Sequence, residues 1–206
     1  SRIGQAYARP YCEVPDYIYP YYDQPLIHTA YNEKKYDFSI IGSIWPDKGV
    51  LEVAERLAHT GHQLLIAGNT HDTSYANALR QIAQKHNNIE LYIELISDDN
   101  YYRYIQQSRY CILNYQGVYT DRSSGVVLDT LFNGTPVVGH RCNALKFIEE
   151  EQVGYLYDDI YHFCPDAILN EAIHNQYTAH IKTYLSKQKE YKERVIHFLN
   201  IKKQIS

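Results

Sequence analysis

Lys48, Asp121 and Asp129 are the residues of this chain whose types and spacing could do chemistry together. Lys48 closes the run Gly42-Ser43-Ile44-Trp45-Pro46-Asp47-Lys48, directly after an apolar stretch. The two acids bracket Ser123, Ser124, Gly125 and Val126 within "TDRSSGVVLDTLFNGTPVVG", residues 120 to 139. A lysine at the head of a helix sits at the wrong end of the helix dipole, which favours anions there. A glycine such as Gly42 at the strand end lets a ligand approach the backbone, and a phosphate would offset the misplaced cation. A solvated surface lysine is the plain alternative. Ser123, Ser124 and Gly125 at a helix start offer free backbone N–H groups and hydroxyl donors to an anion, with no side chain on Gly125 in the way. Ordinary N-capping by serine would account for the same residues. Asp129 stands inside the second turn between Leu128 and Leu131, although aspartate forms helices poorly and resists burial. Its carboxylate could accept hydrogen bonds from the vicinal hydroxyls of a sugar, or could simply face solvent. A cation, a helix N-terminus and two carboxylates suit a nucleoside diphosphate carrying sugars. The stretch is neither G-x-x-x-x-G-K-[ST] nor G-x-G-x-x-G.

Such residues need elements to hold them in place. "YDFSIIG" is a short apolar run ending in Gly42, and "HQLLIAG" is another ending in Gly68. "NIELYIEL", "RYCILNY", "PVVG" and "GYLYDD" complete six candidate strands. Between them lie segments with helical character. "PDKGVLEVAERLAHTG" has Asp47 as its expected N-cap and Gly61 past its end. "SYANALRQIAQKH", "DDNYYRYIQQS", the helix headed by Ser124, and "NALKFIEEE" follow. A helix from about Asp166 and a long one from about Tyr177 to Lys203 close the chain. Strands that are continuous apolar runs, alternating with helices, mark a parallel sheet covered on both faces. Right-handed crossovers then predict an α/β fold: a Rossmann-like, doubly wound parallel sheet of about six strands with a long C-terminal helix. Ligands of such sheets bind outside the carboxyl ends of the strands. Gly42 to Lys48, Gly68 to Thr73, Leu95 to Asp99 and Asn114 to Gly125 all belong there.

The bulk numbers narrow the class. A chain of 206 residues with 45% hydrophobic and 21% charged residues fits a globular α/β domain of ordinary size. Its net charge of −4 argues against a general nucleic-acid binder. Cys12, Cys111, Cys142 and Cys164 are scattered and read as free thiols of a reducing compartment. No run is long enough for a membrane span, and nothing resembles a signal peptide. The absence of any Met reads as a piece of a longer chain. Residues 1–35 carry prolines at 10, 15, 20 and 25, which resist helix and suggest an extended arm or linker. The 22 tyrosines, seven of them in the first 31 residues, are either an aromatic binding surface or a compositional habit; the second is preferred.

With these residues in view, the chain resembles the C-terminal, donor-binding half of a GT-B glycosyltransferase, closest to glycosyltransferase family 4. The likeness runs from about Tyr36 to Asp159 and rests on "IIGSIWPDKG", on "LLIAG", on Asp121 and Asp129 with seven residues between them, and on "NGTPVVG". It implies a retaining transfer of a hexose from a UDP- or GDP-sugar to a glycan or a lipid-linked acceptor, without a metal or other cofactor. Lys48 would bind the donor diphosphate, Asp121 would lie near the donor sugar, and Asp129 would hold the ribose hydroxyls. Backbone amides between the acids would meet phosphate, and Gly42, Ser43, Ser123, Ser124, Gly125 and Val126 would line the donor site. Three departures stand out. Both acids are Asp where the family has Glu, Ser43 replaces a frequent Arg, and Glu94-Leu95-Ile96-Ser97 lacks the glycine usual after the third strand.

The same resemblance implies an acceptor-binding N-terminal domain outside this chain. It divides the chain into an interdomain arm at 1–35, a nucleotide-sugar domain at 36–175 and a terminal helix at 176–206. That helix has apolar positions Ile181, Tyr184, Leu185, Tyr191, Val195, Phe198 and Leu199, with seven Lys/Arg against two Glu between 182 and 203. It would pack on its own domain and the absent half, or lie on a membrane surface at the cytoplasmic face. Two rival readings remain: a related GT-B-like enzyme such as a nucleotide-sugar epimerase or a phosphorylase, and a degenerate, non-catalytic binding or assembly domain. His59 and His62, His140-Arg141-Cys142 and the sequon at Asn133 are explained without a metal, a ligand or a glycan.

Overall fold

The computed structural model describes residues 29–122 and 124–205. The proline-rich arm expected over residues 1–35 therefore lies almost wholly outside the described residues. Six strands, β1 (Tyr36–Ile41), β2 (Leu64–Gly68), β3 (Ile89–Ile93), β4 (Ser108–Leu113), β5 (Val137–His140) and β6 (Gly154–Tyr157), form one sheet. All pairings are parallel, in the order β3-β2-β1-β4-β5-β6. The expected α/β, doubly wound architecture is the one observed.

The continuous apolar runs make sense because both faces are covered. Phe38, Ile40, Leu64, Ile66, Tyr110 and Ile112 point to one face, where they pack against α1 (Val50–Ala58) and α2 (Thr73–Lys85). Their neighbours Ile41, Leu65 and Ala67 point the other way, onto Tyr104 and Ile105 of α3 (Asp98–Gln106). Cys111, Leu113 and Val137 share that second face with α4 (Gly125–Phe132) and α5 (Lys146–Glu150), through Val127, Leu131 and Ile148. The two-residue period of a strand thus delivers apolar side chains to two helical layers at once.

Two local expectations differ from the structure. Asp47 does not cap α1. It lies in a 3-10 turn, Pro46–Lys48, with no side-chain cap bond, and Gly49 takes the N-cap place at φ 57. Pro46 presets that turn, whose bonds Lys48 N–H to Trp45 O and Gly49 N–H to Pro46 O already use the amides nearest Asp47. At the other end, Asp166 belongs to a short 3-10 turn, and one unbroken helix, α6, runs over Glu171–Ile205. Ile181 and Tyr184 of α6 are buried against the α4–α5 layer, so this part of the helix packs on its own domain. Among the described residues, no helix is long and apolar enough to cross a membrane.

Lys34 is buried, 5% exposed, where the chain enters β1. Its Nζ donates to the carbonyls of Gln106 and Ser108, 3.0 Å each, at the end of α3 and the start of β4. Burial, aided by the nearby Arg109 charge, pulls its pKa down to about 8 from 10.5. The unfolded chain therefore binds the extra proton between those values, and the stability contributed by Lys34 rises with pH through that window. Relative to Lys34→Met, the wild-type chain is expected to gain about 3 kcal/mol across it, read by urea denaturation at each pH. A difference that stays flat with pH would sink the assignment.

Candidate functional site

The strand order reverses between β1 and β4, and the crevice at such a switch point is where doubly wound sheets bind ligands. Gly42 leaves β1 at φ 101, a conformation open to glycine, and its missing Cβ would stand 3.4 Å from Cγ2 of Val126. The end of β1 is thereby set against the first turn of α4, which follows β4.

Lys48 folds back over this edge. Its Nζ donates to Oγ of Ser43 at 2.8 Å and lies 5.3 Å from the ring centre of Tyr119. Among the described residues the half-buried ammonium meets a hydroxyl and a ring face rather than a carboxylate, and burial lowers its pKa, with Cys111 acting the other way. Ser43 thus seats the lysine, in the position where the resemblance led one to look for an arginine.

The turn that carries Lys48 is locked to the loop after β4. Gln116 N–H donates to Asp47 O at 2.8 Å, and Nδ2 of buried Asn114 donates to Gly49 O at 3.1 Å. Tyr157 donates to Asn114 Oδ1 at 3.1 Å and fixes the amide from β6. A Cβ at Gly49 would fall 2.3 Å from Asn114 Nδ2, so glycine is needed here both for space and for its positive φ.

After Gln116 the chain makes a 3-10 turn, Gly117–Asp121, tied to the segment after β5 by Ala144 N–H to Thr120 O at 2.7 Å. Asp121 is exposed, and its Oδ1 accepts from Asn143 Nδ2 at 2.7 Å. Ser124 occupies the N-cap place of α4 without a side-chain cap bond. Its Oγ instead pairs with the hydroxyl of buried Tyr115 at 2.5 Å. The serine explanation by ordinary capping therefore fails for Ser124, and the first turn of α4 keeps amides that its cap residue does not engage. A Cβ at Gly125 would meet nothing within 4 Å, so the approach to those amides is open. Ser123 lies outside the described residues.

Asp129 is half-buried rather than solvent-facing. Its Oδ2 accepts from the hydroxyl of Tyr101, on α3, at 2.9 Å. Burial raises the Asp129 pKa and the Tyr101 bond opposes that rise. Val126, three residues earlier, faces Gly42 and closes the wall between them.

The structure thus brings Gly42, Ser43, Lys48, Ser124, Gly125, Val126 and Asp129 around one edge of the sheet, with Asp121 on its outer rim. Tyr101 lies outside the four segments expected at this edge, and Asn114, Tyr115, Tyr119 and Arg122, inside the expected Asn114–Gly125 segment, had no role assigned to their side chains. Tyr119 carries Lys48 over its ring and Arg122 at 5.7 Å from the same ring centre, and it packs against Tyr115. Against the expectation that the tyrosines are a compositional habit, Tyr101, Tyr115 and Tyr119 line this edge; the signal for it is their clustering after β4 and in α3. His140, discounted as loop, places Nδ1 3.0 Å from Tyr115 O, whereas Arg141 is bound by Asp158 at 2.7 Å and by Glu149. Among the described residues no group of three or more His, Cys, Asp or Glu is arranged to hold a metal.

No family model matches the sequence, and no curated protein matches it. Solved structures do resemble it. The Anabaena protein Alr3699/HepE, solved in complex with UDP and glucose, gives a TM-score of 0.69 at 12% identity, over 89% of this chain and 56% of that one. TarM gives 0.67 at 14% identity, over 97% and 42%. AviGT4, a glycosyltransferase involved in avilamycin A biosynthesis, gives 0.58 at 20% identity, over 93% and 61%. This chain therefore spans about half the length of those proteins, and what it shares with them is the fold.

Proposed function

We propose that this chain is the donor-binding domain of a retaining glycosyltransferase of the family 4 type, the C-terminal half of a GT-B enzyme. It would take a hexose from a UDP- or GDP-sugar to a glycan or lipid-linked acceptor, without a metal. The acceptor would be bound by an N-terminal domain of the same protein, with residues 1–35 as the connecting arm, 36–175 as the nucleotide-sugar domain and 176–206 as the terminal helix. The enzyme would work in the cytoplasm, in polysaccharide synthesis, at most peripherally on the membrane.

One observation carries this reading: a half-buried Lys48, with no carboxylate partner among the described residues, and the first turn of α4 converge at the switch point, with Asp129 one turn further in. Lys48 and the amides of Ser124 and Gly125 would take up the charge that develops on the departing diphosphate, by preorganised electrostatics. Asp121 would orient the donor sugar and Asp129 the ribose.

Calorimetric titration of the chain with UDP, GDP and ADP, without added metal and repeated on Asp129→Ala, tests it. One nucleotide is expected to bind saturably, and the substitution to weaken it by about tenfold, the worth of a hydrogen bond to a charged group. If none of the three binds, the rival reading of a degenerate, non-catalytic domain gains the ground, and the Asn143 contact already held by Asp121 would be its first support.

A further inference from the structure

We propose that Tyr101 is a second half of the ribose receptor, its phenolic oxygen accepting one hydroxyl of a cis-diol while Asp129 accepts the other. This rests on the donor-site reading above and goes beyond it, because it assigns a sugar contact to a different helix.

Tyr101 sits in the first turn and a half of α3, whose start is fixed by Ser97, an N-cap that accepts from Asn100 N–H at 3.4 Å. Tyr101 N–H donates to Ser97 O at 2.9 Å. From there the side chain crosses to α4 and donates its proton to Asp129 Oδ2. A phenol that has given away its proton keeps lone pairs for accepting. Asp129 Oδ2 is the other acceptor, because a carboxylate oxygen that takes one hydrogen bond keeps a further lone pair. The separation of Tyr101 Oη from Oδ2, 2.9 Å, is a hydrogen-bond length, close to the spacing of two oxygens on a cis-diol. The pair thus presents neighbouring acceptors of the right kind and pitch for two adjacent hydroxyls.

The arrangement also answers a question raised by the sequence. Aspartate reaches one methylene less than glutamate, and a lone short carboxylate on α4 would grip a diol less fully. Tyrosine arrives from the opposite side and makes up the reach. It also steadies the half-buried carboxylate, which would otherwise rotate about its own side chain. The ring is held in turn: Tyr102 meets it edge-on at 5.3 Å, and it packs on the cluster formed by Ile41, Leu65, Ala67 and Ile105. The hydroxyl is therefore aimed, with little freedom to swing away. Placing this residue on α3 also links the ribose to the loop Leu95–Ser97, which follows β3 at the same edge of the sheet.

The test uses Tyr101→Phe, which keeps the ring and its packing, and titrates wild type and variant with UDP and GDP and with their 2′-deoxy and 3′-deoxy forms. Wild type is expected to prefer the parent nucleotide over both deoxy forms. The variant is expected to lose on the order of tenfold in affinity for the parent, yet to bind one of the deoxy forms nearly as wild type does, so that discrimination at that hydroxyl collapses. A purely structural tyrosine would weaken all forms by one common factor or none, and either result overturns the inference while leaving the donor site standing. Absence of nucleotide binding by the wild-type chain would overturn the donor reading, and this inference with it. Urea denaturation of the variant separates both from a loss of fold.

Discussion

Replacing Lys48 by Ala is expected to weaken nucleoside-diphosphate binding by about 100-fold while leaving stability unchanged or slightly raised. The two halves of this result have one cause. The ammonium is half-buried, and its neighbours among the described residues are a hydroxyl 2.8 Å away and a ring face, with no carboxylate among them to neutralise it. Burial already pulls its pKa below the usual lysine value, which states that the protein pays something to hold the charge there. A diphosphate entering the crevice supplies the missing counter-charge, in surroundings where water screens it poorly. Removing the cation removes that gain and relieves the cost in the empty site. Lys48→Gln keeps a donor without the charge and is expected to lose nearly as much affinity. The wild-type affinity should also fall with added salt more steeply than that of either variant. Titration calorimetry at two ionic strengths, beside urea denaturation, reads all of this. Unchanged affinity in both variants would show that Lys48 is a packed surface residue and nothing more.

The fold was legible because it depends on patterns that a single strand or helix writes locally. Six short apolar runs separated by helical segments allow few architectures, and Gly42 and Gly61 each mark an element's end as expected, at φ 101 and 77. The start of α1 was misplaced because two signals compete there. Asp47 has the side chain of a cap, but Pro46 forces a 3-10 turn first, and only Gly49 can turn the chain into the helix. The closing helices were divided near Tyr177 because the residues before it are polar, and polar residues are no obstacle to a helix whose other face is buried through Ile181 and Tyr184.

The site was legible where it is made of glycine, a charge and a helix start, and hidden where it is made of contacts. Asp129 looked awkward in a helix interior, and it is: half-buried, with a raised pKa. What relieves it stands 28 residues earlier, on another helix, and no spacing rule connects Tyr101 to it. The same holds for Asn114, which looks like a polar residue at a strand end and in fact ties Gly49 to Tyr157 across the sheet. Ser124 misled in the opposite sense. Its type announces a cap, but Tyr115 takes the hydroxyl, and Ser124 leaves unengaged the amides that a cap would have used.

Gly68→Ala is expected to destabilise the chain by about 3 kcal/mol and to abolish nucleotide binding in whatever stays folded. This glycine ends β2, and the space beside it is taken by the chain leaving the neighbouring strand β1. A Cβ built on Gly68 would lie 1.6 Å from the carbonyl oxygen of Gly42 and 2.7 Å from its carbonyl carbon. These are backbone atoms and cannot swing aside as a side-chain tip could. They are clamped on both sides, by Gly42 N–H to Ala67 O at 3.0 Å and Ile44 N–H to Asn69 O at 2.8 Å. Relief requires β1 and β2 to part at their carboxyl ends, and that motion carries Gly42, Ser43 and the turn bearing Lys48 with it. Gly61→Ala is the control. Its φ of 77 imposes the left-handed penalty of a non-glycine residue, about 1 kcal/mol, but nothing lies within 4 Å of the added methyl. It should cost that much in urea denaturation and leave the titration unchanged. If Gly68→Ala proves no more harmful than Gly61→Ala in both measurements, the close approach of β2 to Gly42 is not what sets the geometry of the site.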